Sequence, residues 1–258
     1  NLIAPRARSQ PQQPLWPFML AEISSRRNRG NETIQYARQA AELSDYESSF
    51  LHYLLSTYFK FQRYDDMIDF TTNQLPAERR IPTVVMLLGS AYAGKGDIPQ
   101  AVERYIEALN DQAAPLEVLF AFLREDIQER RIASTEQLMT AVQERLQANP
   151  GERGSLYLLS FLQDRQDDYA GQKQTLQTLL TGLTGEDARS QYEQFYITRL
   201  LATVMNRTKD HEAARQLYES VLAMRPNDVM SLNNLAYLLL EDLKEPKAAL
   251  PYAKRAVE

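Results

Sequence analysis

An all-α solenoid of about seven helix-turn-helix hairpins is the fold class this sequence predicts. Three observations predict it. Apolar residues recur 34 apart at Leu20, Leu54, Leu88 and Phe122, and the row continues at Leu159, Leu201 and Leu235 with steps of 37, 42 and 34. That period, in a chain with helical patterning, marks stacked hairpins too small to bury an apolar face alone. Small and aromatic residues also recur at helical spacing, as at Ala101, Tyr105 and Ala108. Finally, only 9 glycines in 258 residues argue against a turn-rich β protein.

With Leu20, Leu54 and Leu88 as position seven, repeats start at Pro14, Ser48, Pro82, Leu116, Arg153, Phe195 and Val229. Each divides into two helices of about twelve to fifteen residues. Residues 1–13, rich in Pro, Gln and Arg, read as a flexible linker. The expected repeats are 14–47, 48–81, 82–115, 116–152, 153–194, 195–228 and 229–258. Repeat two carries Leu54, Tyr58 and a QRYDDMI turn. Repeat three is the clearest. Leu88 and Tyr92 share a face, Gly89 lets a neighbouring helix approach, Gly96 ends the first helix, and Asp97 caps the second. Repeat six keeps Ala214, Tyr218 and Pro226. Residues 149–152 interrupt the period after repeat four, and eight residues from Asp187 to Gln194 are expected to extend the first helix of repeat six.

The run Leu88-Gly89-x-x-Tyr92, followed by Ala101-x-x-x-Tyr105-x-x-Ala108, is similar to the tetratricopeptide repeat (TPR), and the resemblance covers residues 14–258. Repeat seven resembles the family consensus across Asn233, Asn234, Leu235 and Ala236. Repeats one, four and five depart from it; Asp126 stands where the family prefers tyrosine, and Gln172 where it prefers alanine. The resemblance implies a right-handed superhelix with a concave groove. It also implies that positions two, five, nine, twelve and thirteen of each first helix line that groove. Those positions supply the expected partner-binding residues Phe59, Phe120, Arg124, Tyr157, Phe161, Arg165, Tyr196, Arg199 and Tyr237, together with Phe18, Met86, Arg26, Lys60 and Arg207. Aromatic rings and arginine are the composition of binding hot spots. The competing reading is that the rings pack between helices and the arginines decorate the surface. A frame error of one residue would rotate every side chain by ~100°. The chaperone-tail clamp of this family is not expected, because no three consecutive repeats supply its Lys, Asn and Arg set; repeat six offers Arg199 and Thr203 beside Asn233 and Asn234.

Composition narrows the chemistry. Hydrophobic residues are 44% and charged residues 24%, near a globular average. The net charge of −5 gives no support for nucleic-acid binding. No apolar run reaches the ~18 residues of a membrane span. The lack of cysteine excludes disulfides, thiolate metal sites and cysteine nucleophiles, and fits either the cytoplasm or a bacterial periplasm. Gly89 to Gly96 approaches a phosphate-binding loop. However, glycine follows Lys95 where a hydroxyl is needed, and the run lies inside and at the end of a helix. His52 and His211 are isolated and read as surface or groove residues. Asp65-Asp66 and Asp167-Asp168 fall at turns, where they cap helices. No catalytic constellation, cofactor motif or metal set is present in the sequence.

The expected function is therefore a non-catalytic scaffold or adaptor holding a protein or peptide. The bacterial style of LNNLAYLL and the linker-like start point to assembly of an envelope complex. Two alternatives stand: a cytoplasmic module sensing a peptide or small ligand, and an accessory domain of an enzyme whose catalytic part lies elsewhere. Ala249, Tyr252, Ala253 and Ala256 are expected to leave a weakly apolar edge uncovered in the last hairpin. Weak self-association through that hairpin is expected.

Overall fold

The computed structural model describes residues 10, 12–111, 113–125, 127 and 134–258. Residues 1–9 and 11 of the expected linker, and 112, 126 and 128–133, lie outside the described residues, Asp126 among them. Among the described residues the fold is all-α. Fourteen α-helices follow in order: α1 (Leu15–Arg26), α2 (Gly30–Leu43), α3 (Ser48–Lys60), α4 (Tyr64–Asp69), α5 (Pro82–Lys95), α6 (Ile98–Asn110), α7 (Leu116–Arg124), α8 (Thr135–Ala148), α9 (Arg153–Arg165), α10 (Tyr169–Thr181), α11 (Ala188–Arg207), α12 (His211–Met224), α13 (Val229–Tyr237) and α14 (Pro246–Val257). A π-helical turn extends α4 over Phe70–Gln74, and another extends α13 over Leu238–Asp242.

Six helix pairs are closed by one device. At Asn28, Gln62, Gly96, Asp167, Lys209 and Lys244 the backbone turns left-handed, with φ between 53° and 87°. Apart from Lys244, each is the fifteenth residue of its expected repeat. In those five turns the next amide reaches back five residues, as in Arg63 N–H to the Tyr58 carbonyl (2.8 Å) and Asp210 N–H to that of Met205 (2.9 Å). This is the Schellman bond, which satisfies a carbonyl at the helix end while reversing the chain. In the last pair the π turn adds a residue. The left-handed residue therefore moves to position sixteen, and Glu245 N–H reaches back six, to the Leu239 carbonyl (2.7 Å). Only one of these six residues is glycine.

The helix starts are equally local. Pro82 opens α5, where a missing N–H costs nothing. Asp168, Asp187 and Asp228 cap α10, α11 and α13 by accepting from the Gly171, Ser190 and Ser231 amides, respectively. The cap at Asp187 starts α11 well before Phe195, so the extra residues extend this helix to 20 residues.

The chain forms two compact units, residues 1–108 with 121–133, and residues 109–120 with 134–258. The first unit is cored by Leu54, Leu55, Tyr58, Met67, Phe70 and Leu75. Of the row of period 34, Leu54, Leu88, Leu201 and Leu235 are buried, whereas Leu20, Phe122 and Leu159 are half-buried at helix edges. The paired Ala101 and Tyr105, and in the second unit Ala214 and Tyr218, are buried. Gly89 lies inside α5, and a Cβ there would stand 2.8 Å from the Tyr105 ring. It is a packing glycine, and the lysine of the loop-like run, Lys95, pairs with Asp65 at 2.5 Å.

Gly89→Leu should therefore lose ~1–3 kcal/mol of stability by overpacking, read by urea denaturation; an unchanged midpoint would show that the helices do not meet there. Lys209→Gly should gain ~0.5–1 kcal/mol, because the left-handed residue is strained with a Cβ and glycine's chain entropy offsets only part of the relief. A loss in melting temperature would contradict that assignment.

Candidate functional site

The groove positions behave differently in the two units. In the first unit several of them border open clefts, whereas Phe59 and Met86 are buried. The N-terminal ends of α3 and α5 frame a cleft of about 490 Å³, floored by Leu51, Leu55, Val84 and Leu87 and edged by Ser49, His52, Ile81 and Thr83. A second cleft of about 370 Å³ lies between α1 and α3, lined by Leu15, Phe18, Phe50, Tyr53 and Ser56. Ser49 and His52 belong to both, so the two form one apolar trough with a narrow polar edge. Leu15, Ser49 and Thr83 are position two of successive repeats, and Phe18 and His52 are position five. Phe18 meets Phe50 and Tyr53 edge-on at 5.7 and 4.8 Å, and His52 lies 6.2 Å from the Phe122 ring.

In the second unit the same positions are filled by their own side chains. Phe120 of α7 stacks on Phe161 of α9 (5.7 Å, 7° between planes) and on Tyr196 of α11 (5.8 Å, 17°). Tyr157 meets Phe120 edge-on at 6.5 Å, and Tyr192 continues the stack beyond Tyr196 at 6.2 Å. Phe120, Tyr157, Phe161 and Tyr196 are all buried. Three helices thus bring the expected positions together, and the rings bury one another. Each ring removes a large apolar area from water, and offset stacking adds to that gain. Burial raises the Tyr157 phenol above its ordinary range, opposed by Arg153 and Arg189. It is neutral at physiological pH.

Ion pairs close the same face. Arg199, its side chain only 10% exposed, bonds Glu117 of α7 (3.1 Å) and Asp228 at the start of α13 (3.0 Å). Its guanidinium also lies 5.0 Å from the Phe195 ring and 5.2 Å from that of Tyr196. The added turns of α11 supply the rest. Glu193 is buried and pairs with Arg189 (2.5 Å) and with Arg153 of α9. Arg189 donates to the Ala114 carbonyl (3.3 Å), and Tyr192 accepts from the Leu116 amide (3.0 Å) and donates to Glu117. The inserted residues therefore tie α11 to the start of α7 and to α9.

The remaining expected residues are scattered. Phe59 is buried edge-on to Tyr64 at 5.8 Å, and Met86 is buried in α5. Arg165 pairs with Asp164 (2.6 Å) and lies 5.9 Å from the Phe161 ring; Arg207 reaches the same carboxylate at 2.6 Å. Lys60 donates to Ser25 (2.6 Å) and Arg26 faces Glu22 at 4.0 Å. Arg124 is exposed. Tyr237 is 61% exposed and shares a stripe of α13 and its π turn with the exposed Met230 and Leu240. Ser49, Thr83 and Leu15 line the clefts without being among the expected residues; the expected repeat frame marks their positions, but hot-spot composition favours rings and arginine over such side chains.

Among the described residues, no cluster of three His, Asp or Glu is placed to hold a metal ion, and no helix is long and apolar enough to cross a membrane. No family model matches the chain, and no curated protein does. Solved structures similar to it include the APC/C hetero-tetramer Cut9–Hcn1 (12% identity, 94% of this chain and 52% of that one, TM-score 0.46). MamA AMB-1 is similar over 68% of this chain and 89% of its own (15% identity, TM-score 0.44). TTC0263, a thermophilic TPR protein of Thermus thermophilus, is similar over 88% and 99% (14% identity, TM-score 0.38).

Phe120→Ala should remove the centre of the stack and cost ~3–5 kcal/mol of stability in urea denaturation. A loss below ~1 kcal/mol would mean that the stack is ornamental.

Proposed function

We propose that this protein is a non-catalytic scaffold that holds a protein or peptide segment on the first-helix face of its N-terminal unit. The observation that carries the reading is the apolar trough shared by Ser49 and His52, at repeat positions two and five. Pre-formed, mostly apolar clefts with a few polar edges are the usual geometry of a binding site. The occupant this lining suits is a segment offering apolar side chains at two adjacent points, with backbone groups for Ser49 and Thr83.

The buried Phe120, Tyr157, Phe161, Tyr196 and Arg199 then hold the shape of the second unit; of the expected contact residues, Phe18 lines the trough, and Arg26, Lys60, Arg124 and Tyr237 stay exposed. The setting carried forward from the sequence is an assembly in a bacterial envelope; the full-length reading frame decides between it, a peptide sensor and an enzyme's accessory domain.

Selection from a displayed peptide library followed by affinity measurement tests the proposal. The selected peptides should carry paired apolar residues, and Ser49→Trp, which fills both clefts from an exposed position, should weaken them at least ~tenfold, ~1.4 kcal/mol, without moving the melting temperature. Affinity unchanged by Ser49→Trp would place the partner elsewhere.

A further inference from the structure

Another pocket lies in the C-terminal unit. It lies between the added turns of α11 and the end of α12, and its volume is about 380 Å³. Gln191, Tyr192, Gln194, Phe195, Met224 and Arg225 line it. The lining contains one cation and no carboxylate.

Arg225 is the unusual member. Its guanidinium lies 4.2 Å from the centre of the Phe195 ring and 5.4 Å from that of Tyr192. Among the described residues it pairs with no carboxylate, whereas Arg189, which shares the Tyr192 ring with it, and Arg199, which shares the Phe195 ring, both do. Stacking uses the face of a guanidinium and leaves the donors on its edge free. The segment that carries it is anchored: Arg225 N–H bonds the Val221 carbonyl (2.8 Å), and Arg255 bonds the Pro226 carbonyl. Arg189, the other guanidinium near Tyr192 (5.6 Å), is already engaged by Glu193 and Ala114. The pocket therefore presents a held, unpaired fork of donors. The side chain of Gln194 adds an exposed carboxamide, and Met224 an apolar rim.

The geometry points to a docking site for a single peptide carboxylate, seated on Arg225 and flanked by an apolar side chain against Met224. A planar fork matches a carboxylate with two parallel hydrogen bonds. One cation with carboxamides suits a singly charged group; a phosphate would call for further donors, and the chain's net charge of −5 repels polyanions. Both an aspartate or glutamate side chain and a chain's terminal carboxylate carry this chemistry.

The test is amide and guanidinium NMR of the full chain, titrated with three probes: acetyl-Leu-Asp-amide, acetyl-Leu-Asn with a free terminal carboxylate, and the neutral acetyl-Leu-Asn-amide. At least one carboxylate probe should shift the Arg225 Nε–H resonance and the Gln191, Gln194 and Met224 amides saturably, at least ~tenfold more tightly than the neutral probe. Whichever of the two binds names the source. Arg225→Gln should weaken that probe at least ~tenfold, and Arg225→Lys, which keeps the charge but loses the fork, at least ~threefold. If Arg225→Gln disturbs the fold, the exposed Gln194→Ala decides at the same ~threefold threshold. Equal binding of the neutral probe, variants below these thresholds, or no shifts at the pocket would overturn the assignment. Shifts at Ser49 and His52 report separately on the trough, so the failure of one site is distinguishable from the failure of the other.

Discussion

The left-handed residue at the end of the first helix is the constraint on which the described hairpins depend. Asn28, Gln62, Gly96, Asp167 and Lys209 all occupy it, and the bond five residues back fixes where the second helix begins. Because the turn is set by backbone geometry, it tolerates Asn, Gln, Asp and Lys at a modest cost in strain. A fixed turn fixes the rotation of each first helix. That is why, within each unit, residues at the expected positions two and five come together on one face, open in the first unit and filled in the second. The last hairpin shows how firm the constraint is, since a π turn absorbs one extra residue and the reversal is kept.

The corresponding faces of the two units differ because their side chains differ in size and charge. In the first unit positions two and five carry Leu15, Phe18, Ser49, His52, Thr83 and the buried Met86, and Ser49 and Thr83 are too small to span the space between helices. Open volume remains. In the second unit they carry Glu117, Phe120, Tyr157, Tyr196 and Arg199, whose rings meet and whose charges neutralise one another. Removing one partner from such a buried set is costly, since it strands an uncompensated charge or an empty volume. The aromatic and arginine composition that reads as a hot spot in sequence is here the means by which the face is closed.

The inserted segment Asp187 to Gln194 links these themes. It adds turns to α11 and brings Arg189, Tyr192 and Glu193 to α7 and α9, which locks the filled face. On its other flank the same turns, with Met224 and Arg225, line a pocket that carries one cation and no carboxylate. One departure from the period therefore both closes one surface and opens another.

The sequence by itself determined the helical fold, the spacing of its hairpins and the packing roles of Gly89, Tyr105, Ala214 and Tyr218, because these follow from local periodicity and residue volume. It also marked the register positions at which a surface would form. Only the tertiary structure decided which of those positions stay open. Whether Phe120 faces water or Phe161 depends on rings 41 and 76 residues away, at Phe161 and Tyr196, converging within 6 Å. Whether Arg199 or Arg225 is free depends on carboxylates supplied by other helices. Side-chain identity along one helix carries no information about such partners, and the balance between burial and exposure is struck between elements distant in the chain.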